Sequence, residues 1–181
     1  MLKRYEKFLK EFDKKLKKYF TQQQEYLCCK EGCAGCCEVG DYPFTQLEMM
    51  YLMEGFKKLP NMTQQLIKNK LESIKQNKPA EHFYYECPFL IDKRCTVYEN
   101  RGITCRTFGL AYLVDKKNKT VKLPECSREG LCYSKVFDGK EFSIEPIKEN
   151  LDLPSVASSK LAKNHKLEFG ESRSLINWFP S

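Results

Sequence analysis

Residues 28–37 read Cys-Cys-Lys-Glu-Gly-Cys-Ala-Gly-Cys-Cys, and this stretch contains five of the ten cysteines of the chain. Cysteine usually packs as a small buried hydrophobe, whereas the glycines and charged residues among these thiols are typical of an exposed turn. Gly32 and Gly35 allow the backbone to curl, so several sulfurs can converge and backbone N–H groups can face them. We therefore expect a metal-binding thiolate cluster around which the fold is organised.

Ten cysteines are also compatible with a disulfide framework. Such frameworks belong to short secreted chains with a signal peptide. This sequence begins Met1-Leu2-Lys3-Arg4-Tyr5-Glu6 and has no apolar run of signal length. No apolar stretch approaches the roughly 20 residues that span a bilayer. We predict a cytoplasmic protein whose cysteines are reduced and available to metal.

The net charge of +7 is concentrated near the start of the chain. Residues 1–20 contain eight basic and three acidic side chains, so the remaining 161 residues carry a surplus of only +2. A nearly neutral main body argues against a broad phosphate-binding face, and nucleic acid is therefore disfavoured as a partner.

Residues 2–20 are predicted to form an amphipathic helix, because apolar side chains recur there at spacings of three and four. The apolar stripe comprises Leu2, Tyr5, Phe8, Leu9, Phe12, Leu16, Tyr19 and Phe20. We expect this stripe to dock on the helix's own domain and leave a solvated, lysine-rich face. The alternative is that the basic face binds an unknown protein partner with an acidic surface, or an anionic membrane.

Two more helices and a hairpin are predicted after the cysteine-rich stretch. Thr45-Gln46-Leu47-Glu48 has the pattern of a capping box and begins a helix that reaches about Leu59. A second helix is expected from about Thr63 to Gln76. The expected buried residues are Leu47, Met50, Tyr51, Phe56 and Leu59 in the first helix and Leu66, Ile67, Leu71 and Ile74 in the second. Residues 107–114 and 119–123 flank a polar turn, which favours a β-hairpin.

The predicted fold class is α+β: a small, irregular helical domain with a short β-hairpin, organised around a cysteine-ligated metal centre. We divide the chain into an amphipathic basic helix (1–22), a cysteine-cluster domain (23–150) and a C-terminal extension (151–181). The extension has no strong pattern, and we expect a partly ordered tail with some helix.

The spacing Cys29-x3-Cys33-x2-Cys36 also occurs in radical SAM enzymes. We reject that class because it needs a long alternating βα barrel after the motif, and usually an aromatic residue where this chain has Gly35. A zinc ribbon remains possible, since C-x2-C and C-x3-C pairs are ordinary zinc spacings.

Three later blocks make the pattern more specific: Cys87-Pro88-Phe89-Leu90, then Cys95 to Arg101 (Cys-Thr-Val-Tyr-Glu-Asn-Arg), then Cys105-Arg106-Thr107-Phe108. Together with residues 29–37 they resemble the bacterial YkgJ-type cysteine-cluster family, described as zinc- or iron-chelating, which flagellin lysine N-methylases also resemble. Pro124-Glu125-Cys126 is similar to a later cysteine of that family. The three-residue first gap, and Gly102 in place of a proline, depart from the family pattern without removing a ligand.

The resemblance implies a set of metal-ligating cysteines: Cys29, Cys33, Cys36, Cys37, Cys87, Cys95, Cys105 and Cys126. They would form two four-thiolate zinc sites, or one iron–sulfur cluster with spare thiols. Adjacent side chains are expected to diverge, so Cys36 and Cys37 should serve two metals, or one of them should pack instead. Cys28 and Cys132 are additional, and we expect both to be packing residues.

A thiolate metal site carries negative charge and is stabilised by nearby cations. Arg101 and Arg106 bracket Cys105, so we expect both to be cofactor-binding residues that neutralise the metal centre, with exposed salt bridges as the alternative. Tyr98 and Phe108 are expected to shield the site from water.

The sequence offers no catalytic set of nucleophile and base, no Gly-rich phosphate loop and no recognisable carboxylate pair. His82 is expected to be structural, because an isolated histidine is more often so than a ligand. The first hypothesis is a metal-binding protein in which zinc or an iron–sulfur cluster stabilises a loop-rich core. The alternative is an enzyme or redox protein that uses the cluster, for example a relative of the lysine methylases or an electron carrier.

Overall fold

The computed structural model describes residues 1–30, 32–77 and 84–179. Its α-helices are α1 (Leu2–Gln23), α2 (Gly35–Glu38), α3 (Gln46–Phe56), α4 (Asn61–Gln76), α5 (Ile103–Thr107), α6 (Leu153–Ala157) and α7 (Lys160–Asn164). Its strands are β1 (Pro43–Thr45), β2 (Leu90–Ile91), β3 (Arg94–Cys95), β4 (Tyr112–Asp115), β5 (Thr120–Lys122) and β6 (Ser172–Ser174). They form antiparallel pairs, β1 with β6, β2 with β3 and β4 with β5. The fold is α+β, as predicted.

The chain divides into two compact units. The first unit comprises Met1–Lys30 and Ile103–Leu167, and the second comprises Glu31–Gly102 and Glu168–Ser181. Each unit therefore combines segments that are distant in sequence. The division into residues 1–22, 23–150 and 151–181 stays a prediction.

In the first unit, α1 docks through the predicted apolar stripe and contacts α5 and α7. Its buried side chains include Tyr5, Phe8, Leu9, Phe12 and Leu16, whereas most of its lysines are exposed. The expectation that this helix packs on its own domain is confirmed. No helix among the residues described has the length and apolar character that crossing a membrane would require.

The predicted hairpin of the first unit is present as β4 and β5. The Asp115 carboxylate accepts hydrogen bonds from the backbone N–H groups of Lys117 (2.8 Å) and Asn118 (3.2 Å), which stabilises the polar turn. The first strand begins later than residue 107, because residue 107 ends α5 and Gly109 turns the chain at a φ of +98°.

In the second unit, α3 begins at the predicted capping box. The Glu48 carboxylate accepts hydrogen bonds from the Thr45 N–H (2.9 Å) and hydroxyl (2.7 Å), and the Thr45 hydroxyl oxygen accepts one from the Glu48 N–H (3.3 Å). The predicted stripes are only partly right, since Met50 and Leu66 are about half exposed whereas Met49 and Leu52 are buried. Helix α4 buries only Ile67 and Leu71, whereas α3 is covered over most of its circumference, so its buried residues do not follow a single stripe.

The expectation of some helix after residue 150 is confirmed by α6 and α7, but the expectation of an only partly ordered tail is wrong for residues 151–179. Within the first unit, Leu151, Val156 and Ala162 are buried. Within the second unit, β6 pairs with β1, and the indole N–H of Trp178 donates to the Phe44 carbonyl at 2.9 Å. The sequence Ser172-Arg173-Ser174 has no apolar alternation, so no local signal marked it as a strand.

Replacing Thr45 by Ala should lower the free energy of unfolding by about 2 kcal/mol, the upper end of the usual range for a lost N-cap, because the buried Glu48 carboxylate also loses a donor. Chemical denaturation monitored by circular dichroism measures this loss. Thr45→Ser keeps the hydroxyl and is the matched control. Equal stability of the two variants would contradict the assigned cap.

Candidate metal centre

Cysteine side chains lie near one another in each of the two units, and we name the two groups separately. In the part of the chain that the structure describes, three cysteine sulfurs within 4.8 Å of one another occur only at Cys28, Cys126 and Cys132. The hairpin cluster, in the second unit, consists of Cys36, Cys37, Cys87 and Cys95. The Cys132 cluster, in the first unit, consists of Cys28, Cys29, Cys126 and Cys132. The other eight cysteines, all among the described residues, are not disulfide-bonded.

The short helix α2 supplies two adjacent thiols of the hairpin cluster. The carbonyl of Ala34 accepts hydrogen bonds from the N–H groups of Cys37 (2.6 Å) and Glu38 (3.0 Å), which form the single turn. The sulfurs of Cys36 and Cys37 lie 3.9 Å apart. The expectation that these side chains diverge is therefore wrong. A tetrahedral zinc site with Zn–S bonds of about 2.3 Å has sulfurs about 3.8 Å apart, so this spacing fits ligands of one ion.

The hairpin of β2 and β3 supplies Cys87 and Cys95. Its two central turn residues, Asp92 and Lys93, both have positive φ (49° and 60°), as a type I′ turn requires. This tight turn pairs Leu90 with Cys95 across the hairpin. Cys87 precedes the first strand and Cys95 ends the second, so the turn brings both thiols to the same end of the hairpin.

Backbone N–H groups face the two hairpin sulfurs. The N–H of Phe89 donates to the Cys87 sulfur, and the N–H of Val97 donates to the Cys95 sulfur, in each case from two residues further along the chain. Hydrogen bonds of this kind stabilise the thiolate form, and they orient and tune metal ligands. The backbone is thus arranged for negative charge on both sulfurs.

A backbone hydrogen bond joins α2 to the hairpin, since the N–H of Cys87 donates to the carbonyl of Cys37 at 2.7 Å. Burial raises the pKa of Cys87 to about 12 and also raises the pKa of Cys95, and the nearby Cys37 thiolate adds to both shifts. A hydrogen bond from Cys36 lowers the pKa of Cys37 to about 7, although burial opposes it. The cluster therefore combines one acidic thiol with two thiols that resist ionisation in the absence of a cation.

Two cations lie close enough to act on the hairpin cluster. Arg101, predicted from the sequence, lowers the pKa of Cys95, and its guanidinium stacks 3.7 Å from the ring centre of Tyr98. Lys70 of α4 lowers the pKa of Cys87 and donates to the Leu90 carbonyl at 2.6 Å. Lys70 was missed because nothing distinguishes it from the other lysines of an amphipathic helix. Tyr98 is 56% exposed. It stacks against the Arg101 guanidinium and does not shield the cluster from water.

The other sequence-predicted site residues lie in different places. Cys33 is exposed just before α2, and Cys105 lies half-buried in α5 of the first unit. Arg106 is buried in the same unit and pairs with Asp13 of α1 at 2.6 Å. The predicted ligand roles of Cys33 and Cys105, and the predicted role of Arg106 beside a metal, stay predictions. His82 falls outside the described residues.

The Cys132 cluster corrects the expectation that Cys28 and Cys132 are packing residues, since they form a disulfide across 104 residues of sequence. The expectation that all cysteines are reduced therefore fails for this pair. The sulfur of Cys126 lies within 4.8 Å of both. The Cys29 sulfur lies 4.0 Å from that of Cys132. Four sulfurs thus converge from the two segments of the first unit, two from each.

A buried hydrogen-bond network positions the chain next to Cys132. The side-chain amide of Gln23 donates a hydrogen bond to the Ala111 carbonyl at 2.9 Å and accepts one from the Ala111 N–H at 3.0 Å. The Tyr133 hydroxyl lies 2.7 Å from Gln23 Oε1 and 2.9 Å from the Gly109 carbonyl. Burial raises the pKa of Tyr133, and the charges of the Cys29 and Cys126 thiolates raise it further. Cys132 and Tyr133 are almost completely buried.

Comparison with known proteins identifies one family. The sequence model of the CxxCxxCC family, described as a "putative zinc- or iron-chelating domain", matches residues 27–127. The match covers more than half of the chain and includes the whole hairpin cluster, whereas Cys132 lies beyond its end. No curated protein and no solved structure matches the chain.

Timed alkylation of the metal-free, reduced protein should modify Cys37 much faster than Cys87. At pH 7.5 most Cys37 is thiolate, because its pKa is about 7, whereas almost all Cys87 is protonated, because its pKa is about 12. Peptide mass spectrometry after quenching gives both rates. Raising the pH from 6 to 8 should accelerate modification of Cys37 and leave Cys87 slow. Equal rates at the two thiols would contradict the arrangement described.

Proposed function

Since the chain belongs to the CxxCxxCC family, we propose that it is a metal-binding protein whose hairpin cluster binds zinc or the iron of an iron–sulfur cluster through cysteine thiolates. The observation that carries the proposal is that a backbone hydrogen bond ties Cys87 to Cys37, whose charge also acts on Cys95, while the Cys36 sulfur lies 3.9 Å from that of Cys37. These thiols come from α2 and from a hairpin about 50 residues further along the chain.

The donor set suits a thiophilic metal. Thiolates select zinc, copper(I) and iron–sulfur clusters, whereas magnesium and calcium prefer oxygen ligands. Backbone N–H donors already face Cys87 and Cys95, and the charges of Lys70 and Arg101 favour thiolates nearby. A bound dication would supply the larger positive charge that buried thiolates need, and its binding would release protons.

A metal at the hairpin cluster would also stabilise the second unit. The described secondary structure around these thiols is minimal, since α2 has four residues and β2 and β3 have two each. A two-stranded hairpin and a single helical turn are marginally stable by themselves. A metal that links α2 to the hairpin would replace that missing stabilisation, as structural zinc does in small domains.

Metal identity separates the proposed functions. Zinc without acid-labile sulfide supports a structural or metal-carrying centre, whereas iron with sulfide and a brown colour supports an iron–sulfur protein. Iron with sulfide would favour the redox or enzyme alternative, and the reduction potential of the cluster would be the next measurement. A cytoplasmic location and a protein partner for the basic face of α1 remain predictions from the sequence.

Replacing Cys87 or Cys95 by Ser should remove the metal of the hairpin cluster and lower the thermal unfolding midpoint, because a hydroxyl is a poor substitute for a thiolate ligand. Elemental analysis of the purified, reduced protein measures the loss. Val39→Ser introduces a hydroxyl at an exposed position one residue after α2 and is the control. Cys33→Ser and Cys105→Ser test the two predicted ligands whose roles are open. Full metal content in both Cys87→Ser and Cys95→Ser would refute the proposal.

Replacing Arg101 by Met should weaken metal binding by about 10-fold or more, within the range seen when groups around a metal's ligands are removed. The cause is loss of the positive charge that favours the Cys95 thiolate. Competition with a chromophoric zinc chelator measures the affinity. Arg101→Lys should lose less, and Arg4→Met removes the same charge from an exposed position of α1 as the control. Equal affinities of Arg101→Met and Arg4→Met would contradict a role for Arg101.

A further inference from the structure

We propose that the Cys132 cluster is a second thiolate metal site, which binds zinc when Cys28 and Cys132 are reduced and releases it when they form their disulfide. This inference concerns the first unit alone and goes beyond the function proposed for the hairpin cluster. It assigns a role to two cysteines that the family pattern does not explain, one of which lies outside the matched range.

The first argument is the number of sulfurs that converge. A disulfide needs two, but Cys126 lies within 4.8 Å of both partners, and Cys29 lies 4.0 Å from Cys132. Sulfurs of a tetrahedral zinc site are about 3.8 Å apart, so only small movements separate this group from a four-thiolate shell.

The second argument is the shape of the backbone around these sulfurs. The N–H of Cys28 donates to the Cys132 sulfur at 3.2 Å beside the disulfide, and the same donor would stabilise a Cys132 thiolate after reduction. A Cβ added to Gly109 would lie 3.1 Å from the Cys29 sulfur, so the chain passes close to that sulfur where no side chain fits. Tyr133, at a φ of +61°, is held by the buried Gln23 network directly after Cys132.

The third argument is that the Cys28–Cys132 pair is accessible enough, through Cys28, to change between two thiols and a disulfide. The Cys132 side is completely buried, but Cys28 is only partly buried and Cys29 is exposed, so a small oxidant can reach the cluster from one side. Once the disulfide forms, two of the four sulfurs are no longer thiolates. Cys29 and Cys126 remain, and two thiolates bind zinc much more weakly than four.

The chemical step is thiol–disulfide exchange with a low-molecular-weight disulfide. One protein thiolate attacks a sulfur of that disulfide, breaking its S–S bond and expelling one small thiolate. The second protein thiolate then attacks the mixed disulfide, forming the Cys28–Cys132 bond and expelling the second small thiolate. Two electrons pass from the cysteine pair to the oxidant, and the zinc ion leaves as Zn²⁺. A dithiol reductant reverses the step.

The test loads the full chain with zinc under reducing, oxygen-free conditions, removes unbound zinc and measures zinc per chain. The reduced wild type should bind about two equivalents, one for each cluster. Treatment with oxidised glutathione should release about one of them, with appearance of the Cys28–Cys132 peptide pair by mass spectrometry. Cys126→Ser should bind about one equivalent and still form the disulfide, which shows that the variant has folded.

The matched comparison is the Cys87→Ser/Cys95→Ser double variant, which leaves the Cys132 cluster intact. It should retain about one equivalent, and oxidised glutathione should release it. If Cys126→Ser binds as much zinc as the wild type, or if disulfide formation releases none, the second site is refuted while the hairpin-cluster proposal stands. If the double variant binds as much as the wild type, the hairpin-cluster proposal fails instead. Zinc should also slow alkylation of Cys29 at least about 10-fold in the reduced wild type, and an unchanged rate would overturn the inference.

Discussion

The cost of ionising closely spaced, partly buried thiols is the constraint on which the cysteine-rich parts of the structure depend. A thiolate inside a protein loses the hydration that stabilises it in water, so it needs hydrogen-bond donors, cations or a metal in exchange. Around the hairpin cluster the first two are visible: N–H groups of Phe89 and Val97 face the sulfurs, and Lys70 and Arg101 supply positive charge. The high pKa of Cys87 shows that these donors do not fully offset burial.

In the second unit, very short local elements position the cysteine sulfurs. One turn of helix at α2 presents two adjacent thiols, and a type I′ turn at Asp92 and Lys93 brings Cys87 and Cys95 together. Such elements are only marginally stable by themselves. The larger elements α3 and α4 support them: Lys70 of α4 donates to the Leu90 carbonyl, and Asn100, five residues after Cys95, donates to the Tyr51 carbonyl of α3 at 3.0 Å.

The first unit positions its cysteine sulfurs by a different arrangement. There the sulfurs come from the end of the N-terminal segment and from the region after the β4–β5 hairpin, and a buried network of Gln23, Ala111 and Tyr133 fixes the backbone beside them. The structure shows a disulfide joining two of these sulfurs. In our proposal a bound metal would be the alternative under reducing conditions, because either arrangement removes the cost of buried thiolates.

Local patterns in the sequence determined two of the longer helices, the family and the metal-binding chemistry of this protein. The 3.6-residue period identified α1, the Thr45–Glu48 pair identified the start of α3, and the cysteine spacings identified the family and the metal chemistry. These features depend on neighbours within about four residues, so they can be read directly from the chain. The tertiary structure alone decided which sulfurs meet: that Cys28 and Cys132 join, that Cys126 accompanies them, that Lys70 lies near Cys87, and that Ser172–Ser174 forms a strand. Those contacts connect residues tens of positions apart through packing, and packing leaves no periodic signal in the sequence.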